Sequence, residues 1–300
     1  MIKIPTVLIL GAGSSVHCGY PLGQQLINQL SNLRLSKQYG FLPNEFDRKD
    51  VEDFLTRLSR SGHYSIDAFL EKIPDAARLG KFLIASQIKQ QENIDNLFPP
   101  HNSGWYQYLF NSLLDKGEPN FEGNALKIIT FNYDRSLEAY LHHALQARFS
   151  LNRDDAAAIL KQLPIVHVHG ILGKYPAVPY EVAADPEELL EISEQISIIH
   201  EMNDGDGEFC NEQFRIANSY LKAAERIYFL GFGFHPDNVR RLNFFRPENI
   251  QGKLVRGVVA SLEQIARQRL LKALEFNGIT SEMIDPWECN IFFERAATLE

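Results

Sequence analysis

Cysteine is scarce in this chain: Cys18, Cys210 and Cys289 are the only three in 300 residues. An odd, scattered set excludes a CxxC metal site and argues against a disulfide framework, which points to a reducing cytoplasm. No apolar run approaches the ~20 residues that span a bilayer, so no membrane segment is expected. The first ten residues hold a single lysine and run directly into glycine, so they do not read as a signal peptide. Positive charge is also in deficit. The net charge is −8 and no stretch concentrates Lys and Arg, so direct nucleic-acid binding is not expected. Internal repeats and low-complexity tracts are absent. The closing Leu299-Glu300 reads as a cloning remnant.

What is present is a regular alternation of short apolar runs and helical periodicity. Thr6-Val7-Leu8-Ile9-Leu10 is apolar almost throughout and stops at glycine, as a central parallel strand does. Further strands are expected over 125–130, 165–168, 226–230 and 254–260, with a final one over 290–293. Helices are expected from Pro21 through Leu30 and over 134–147, 239–245 and 262–276. Between the first two strands, Val51, Phe54, Leu55 and Leu58 recur at helix spacing, as do Trp105, Tyr108, Leu109 and Leu113. The expected fold class is α/β: a doubly wound, Rossmann-like parallel sheet with an inserted helical module. One domain over 1–300 is expected, with the helical insertion at 35–120. A second, smaller insertion covers 172–222 and has helical stretches over 186–199 and 211–223.

Four strand ends carry chemistry. Gly11-Ala12-Gly13-Ser14-Ser15 places two glycines and two hydroxyls between a strand and a helix, where backbone amides can meet a pyrophosphate. Val16 stands where a third glycine of GxGxxG would be. A tight turn without ligand is the other reading of this segment. Thr130-Phe131-Asn132-Tyr133-Asp134 puts an uncharged amide at a strand end, able to orient a water or a ribose hydroxyl; a simple turn residue is the alternative. Asp134 either holds that loop or caps the next helix, and capping is the commoner use. His167 and His169 stand two apart on a strand and point the same way. His167 reads as structural. His169, just before Gly170, lies nearer the opening and can take a proton from water or a ribose hydroxyl. No third ligand supports a zinc pair. Gly231-Phe232-Gly233-Phe234 closes another strand, its phenylalanines either packing on a base or belonging to the core. Four such ends along one parallel sheet read as a dinucleotide site.

Together these segments resemble the sirtuin-like NAD-binding family, in particular its bacterial NAD-hydrolysing, defence-associated branch. The matching stretches are Gly11 to Ser15, Thr130 to Asp134, His169-Gly170 and Gly231 to Phe234, in the family's order, over roughly residues 5 to 260. Ser65-Ile66-Asp67-Ala68-Phe69-Leu70 also looks like a segment of the defence branch. The departures matter as well. The four-cysteine zinc module of the protein deacylases is missing, so no zinc is expected. Leu22-Gly23-Gln24 replaces the Asp-Phe-Arg that follows the proline, and the Phe-Gly-Glu after His-Gly is missing too.

The resemblance implies cleavage of NAD at the nicotinamide-ribose bond, with Asn132 and His169 as catalytic residues. It implies an NAD pocket that also includes Gly11, Ala12, Gly13, Ser14, Ser15, Tyr20, Asp134, Gly231, Gly233 and Phe234, with Tyr20 on the nicotinamide side. It further implies a homo-oligomer that works with a separate sensor or DNA-translocase partner and depletes NAD after phage infection. A catalytically silent NAD or ADP-ribose binder, and an NAD-dependent deacylase or ADP-ribosyltransferase, are the alternatives. The choice between NAD and NADP stays open, since no residue can be placed on the adenosine ribose.

Overall fold

The computed structural model describes residues 1–36, 40, 42–63, 65–100, 104–115, 117–198, 208–258, 268, 272, 275, 284–285, 289–295 and 297–299. Six strands form one sheet: β1 (Thr6–Leu10), β2 (Leu126–Thr130), β3 (Ile165–His167), β4 (Arg226–Leu230), β5 (Leu254–Val258) and β6 (Ile284–Asp285). Their order is β3-β2-β1-β4-β5-β6 and every pairing is parallel. Leu10 is level with Thr130 on one side and Leu230 on the other.

β1 is buried along its whole length because it has a neighbour on each edge and a layer on each face. Its side chains alternate between two cores. Leu8 and Leu10 join Leu126, Ile128, Tyr228 and Leu230 on one face, while Val7 and Ile9 join Ile129, Ile227 and Phe229 on the other. The chain steps outward from β1 to β2 and β3, then returns to lay β4 on the opposite edge of β1. That reversal opens a crevice at the carboxyl ends of β1 and β4, where open α/β sheets bind ligands.

Among the described residues, six α-helices lie between β1 and β2: α1 (Gly23–Ser36), α2 (Arg48–Arg60), α3 (Ile66–Leu70), α4 (Ala77–Gln90), α5 (Ile94–Leu97) and α6 (Gly104–Leu113). α2 starts where the Asp47 side chain accepts from the Lys49 amide, and it buries the face of Val51, Phe54, Leu55 and Leu58. α3 starts where Ser65 accepts from the Ala68 amide. These helices share one apolar core with the sheet. Beyond β2 come α7 (Ser136–Phe149) and α8 (Arg153–Leu160). α9 (Pro186–Ser193) and α10 (Glu208–Ala223) lie between β3 and β4, and α11 (Pro236–Arg241) and α12 (Pro247–Ile250) between β4 and β5. The helix expected over 239–245 instead starts at Pro236, whose fixed φ suits a first turn, and ends at Arg241, with 242–245 in turns.

The expected final strand over 290–293 is instead part of a closing helix, Cys289–Arg295. Its aromatic residues pack on helix and sheet together, Phe293 stacking on Tyr108 at 4.8 Å and Phe292 meeting Tyr228 edge-on at 5.7 Å. Leu299, expected to be a remnant, is fully buried, and its amide donates to the Tyr108 hydroxyl. Apart from residues 268, 272 and 275, which are helical, the helix expected over 262–276 lies outside the described residues.

One buried ion pair fixes the loop behind the crevice. Arg135 and Glu92 are both fully buried, and Arg135 Nε donates to Glu92 Oε1 at 3.0 Å. Nη1 of Arg135 donates to the Val178 carbonyl and Nη2 to that of Pro179. The loop is thereby held so that the Tyr180 hydroxyl meets that of Tyr20 at 2.7 Å.

Candidate active site at the sheet's switch point

The turns after β1 and β4 leave the sheet side by side and press on each other. The Gly13 amide donates to the Gly231 carbonyl at 3.0 Å. A Cβ on Gly11 would lie 2.6 Å from the Gly231 oxygen, and one on Gly13 2.7 Å from Gly231 Cα. At Gly231 the added carbon would stand 2.2 Å from backbone atoms of Gly13 and Ser14, at a φ of +60°. These three glycines are therefore required by turn-on-turn packing. Gly233 differs: nothing lies within 4 Å of where its Cβ would be.

The helix expected from Pro21 is α1, which starts at Gly23. Two 3-10 turns, Ala12–Ser14 and Val16–Cys18, follow Gly11, and Gly19 closes the second with a φ of 90°. α1 forms only after Pro21.

A pocket of about 530 Å³ opens over these turns. Gly11, Ala12, Ser15, Tyr20, Pro21 and Gly23 form its β1 side, and Phe131, Asn132, Tyr133, Asp134 and His169 the wall at β2 and β3. Phe232, Gly233, His235 and Asn238 line it from the β4 side, and His63, Ser65, Asp67 and Ala68 from the helical segment around α3. Gly13, Ser14, Gly231 and Phe234 are not among its lining residues. Ser14 is buried and its carbonyl accepts from Trp105 Nε1 at 2.9 Å. Phe234 packs on Phe229 at 4.7 Å and on Phe232 at 5.0 Å, and of Phe232 and Phe234 only Phe232 lines the pocket.

Asn132 is locked into the glycine turn. Its Nδ2 donates to the Gly11 carbonyl at 3.1 Å and reaches Ser14 Oγ and Ser15 Oγ at 3.3 Å each. With Nδ2 spent on acceptors, Oδ1 is the free end of the amide; it takes no hydrogen bond among the described residues. Asp134 serves both uses weighed for it. Oδ1 accepts from the Ser136 amide at 3.0 Å at the start of α7, and Oδ2 accepts from Ser15 Oγ at 2.8 Å. Burial pushes the Asp134 carboxyl above the ordinary range, against the hydrogen bonds from Ser136 and Ser15, which favour the charged form.

His169 is 5% exposed, and its Nε2 meets Asn238 Oδ1 at 3.2 Å. A proton on Nε2 makes that contact and leaves a lone pair on Nδ1, which is buried with no partner among the described residues. Burial lowers the pKa of His169 below its ordinary value, so the ring is neutral at pH 7 and able to accept a proton.

Three relationships were not read from the sequence. His167 is tied to Glu138 on α7 and to the Asn132 carbonyl, Asn238 orients His169, and the Tyr133 hydroxyl donates to Asp67 Oδ1 at 2.7 Å. Glu138 stands four residues after Asp134, one helical turn along, which was a weak cue to a shared face. Among the described residues, none that lines the pocket is Lys or Arg, and amides and hydroxyls are the groups offered there to an anion. Among the described residues, no group of three or more His, Cys, Asp or Glu side chains could hold a metal ion.

No family model matches the chain, and no curated protein matches it. Among solved structures, it is similar to one described as Sir2 in complex with the inhibitor EX-527, 2'-O-acetyl-ADP-ribose and deacetylated p53-peptide. The likeness covers 97% of this chain and 91% of that one, at 14% sequence identity and a TM-score of 0.40. So low a likeness assigns neither family nor activity.

Proposed function

We propose that the pocket binds NAD and hydrolyses it at the nicotinamide-ribose bond, giving nicotinamide and ADP-ribose. The observation that carries this reading is the meeting of Asn132 Oδ1 and the neutral, partly unpartnered His169 in one pocket at the β1/β4 switch point. The sequence resemblance to sirtuin-like proteins supports NAD over other dinucleotides. The absence of the acyl-lysine segment after Gly170 supports water over an acylated peptide as acceptor.

The reaction assigned to these residues is dissociative. The bond between the ribose anomeric carbon and the pyridinium nitrogen breaks, and its electron pair neutralises the departing nicotinamide. Water then forms the new carbon–oxygen bond. Asn132 Oδ1 accepts one hydrogen of that water or of a ribose hydroxyl, and His169 Nδ1 takes the proton released. General-base help of this kind typically supplies ~10²–10⁴-fold, so holding the ribose and excluding bulk water supply the rest. Gly233, Ala12 and Ser15 are assigned to the phosphates and Tyr20 to the nicotinamide side. The resemblance further supports a role in depleting NAD during antiphage defence, as a homo-oligomer controlled by a separate sensor or DNA-translocase protein.

The test is incubation of the purified protein with NAD and chromatography of the products. Release of nicotinamide that is lost in Asn132→Ala and in His169→Ala supports the assignment. Turnover that survives both substitutions refutes the roles given to these side chains, and saturable NAD binding without turnover marks a silent binder.

A further inference from the structure

The segment Ser65-Ile66-Asp67-Ala68-Phe69-Leu70, which the reaction leaves without a task, supplies part of the pocket wall. Ser65 Oγ accepts from the Ala68 amide at 3.2 Å and fixes the first turn of α3. Ile66, Phe69 and Leu70 then fall on one face, at spacings i, i+3 and i+4, and all three are buried in the core. Phe69 meets Phe54 edge-on at 5.5 Å, and Leu70 lies so close to α4 that a Cβ on Gly80 would stand 2.4 Å from it. Asp67 and Ala68 are left on the opposite face, half-buried, and both line the pocket.

The Asp67 side chain is held in place there. Its Oδ1 accepts from the hydroxyl of Tyr133, which lines the pocket too. Oδ2 takes no hydrogen bond, and the carboxylate has no ion-pair partner, among the described residues. Its charge reaches the site, since it favours the protonated form of His169 against the burial that lowers that pKa. Asp134, the other acidic residue of the lining, spends both oxygens on Ser15 and Ser136. Asp67 is therefore the carboxylate with an oxygen left for a ligand. Its setting is apolar: α3 packs against α1 and α4, and Leu26 of α1 and Ile88 of α4 line the same pocket. Because α1 follows directly on Tyr20 and Pro21, this wall adjoins the side assigned to nicotinamide.

We infer that Asp67 selects the cationic form of the nicotinamide ring, so that the pocket takes the oxidised dinucleotide and discriminates against its neutral dihydro form; this rests on the reading of the pocket as an NAD site. The two forms are nearly the same in size and differ by one unit of charge on the ring, so shape alone separates them poorly. A carboxylate with an open oxygen separates them by charge, the more so in a lining where no Lys or Arg among the described residues competes for it.

Calorimetric titration of wild type and Asp67→Asn with the non-cleavable carbocyclic analogue of NAD, and with the dihydro form of that analogue, tests it. The substitution keeps an oxygen for the Tyr133 hydroxyl and removes the charge, and Asp67 is outside the core, so the variant is expected to fold. Wild type should bind the oxidised analogue at least about tenfold more tightly than the dihydro form, and Asp67→Asn should bind the two within about threefold of each other. Equal binding of both forms by wild type overturns the inference while leaving the NAD site standing. A preference that survives Asp67→Asn overturns it in the same way. Binding of neither form overturns the NAD site and the inference together. A charge preference lost in Asp67→Asn, in a protein that does not turn over NAD, upholds the inference and refutes hydrolysis alone.

Discussion

His167 Nε2 lies 2.6 Å from Glu138 Oε1, and the other ring nitrogen lies 3.0 Å from the backbone carbonyl of Asn132. Both partners accept hydrogen bonds, an arrangement that favours a ring protonated on both nitrogens. Burial alone would lower its pKa; the Glu138 charge and the hydrogen bonds from both sides outweigh it and raise the value above the ordinary 6.5. A part-buried His167–Glu138 pair therefore ties the end of β3 to α7 and holds the backbone that carries Asn132.

This pair predicts a pH dependence of stability. A histidine whose folded pKa is raised contributes stability that is complete below its unfolded value and is lost as pH rises through the folded one. The stability difference between wild type and His167→Gln should thus be largest below pH 6.5 and should shrink on the alkaline side. Urea unfolding of both proteins across that range measures it. A difference that grows with pH would contradict a cationic His167. Glu138→Ala removes the tie to α7 and lets His167 shed its proton, and should cost about 1–3 kcal/mol.

For His169 the sign is opposite. Burial lowers its pKa, so the neutral base persists below the ordinary 6.5 and the acid limb of NAD turnover should fall below that pH. The pH profile of kcat checks this. His169→Ala should lower kcat by ~10²–10⁴-fold with a smaller change in KM, because the lost group acts on the water.

The two glycines of the β4 turn should separate fold from ligand. Gly231→Ala drives a carbon against the Gly13 and Ser14 backbone at a left-handed φ, and should destabilise by more than about 3 kcal/mol. Gly233→Ala has open space and should change stability by no more than about 0.5 kcal/mol while weakening NAD binding. Thermal unfolding and NAD titration of the two variants read both effects.

Arg135→Leu removes one member of a fully buried pair and leaves Glu92 behind with Lys89 as its remaining cationic partner. It also strips the donor from the Val178 carbonyl, whereas that of Pro179 keeps Lys89 Nζ at 2.9 Å. A loss of about 3–5 kcal/mol in equilibrium unfolding is expected.

Much of the architecture was legible because parallel strands buried on both faces read as unbroken apolar runs. Thr6–Leu10 and Arg226–Leu230 lie as expected, and the residues after both line the pocket. Ile291-Phe292-Phe293 misled because so short an apolar run carries no period of its own; contacts with Tyr108 and Tyr228, far off in sequence, make it helical. The glycines after β1 and β4 were visible, but not their mutual contact, which depends on β4 returning beside β1. His167–Glu138 and His169–Asn238 were hidden for the same reason: residues 29 and 69 positions apart meet only through the crossovers.

The most direct test of the central claim is NAD turnover in ¹⁸O-labelled water, followed by mass spectrometry of the products. Equal amounts of nicotinamide and ADP-ribose, with one labelled oxygen on the anomeric carbon, are predicted. Nicotinamide release that requires an acylated peptide, or ADP-ribose without the label, would contradict hydrolysis at this site.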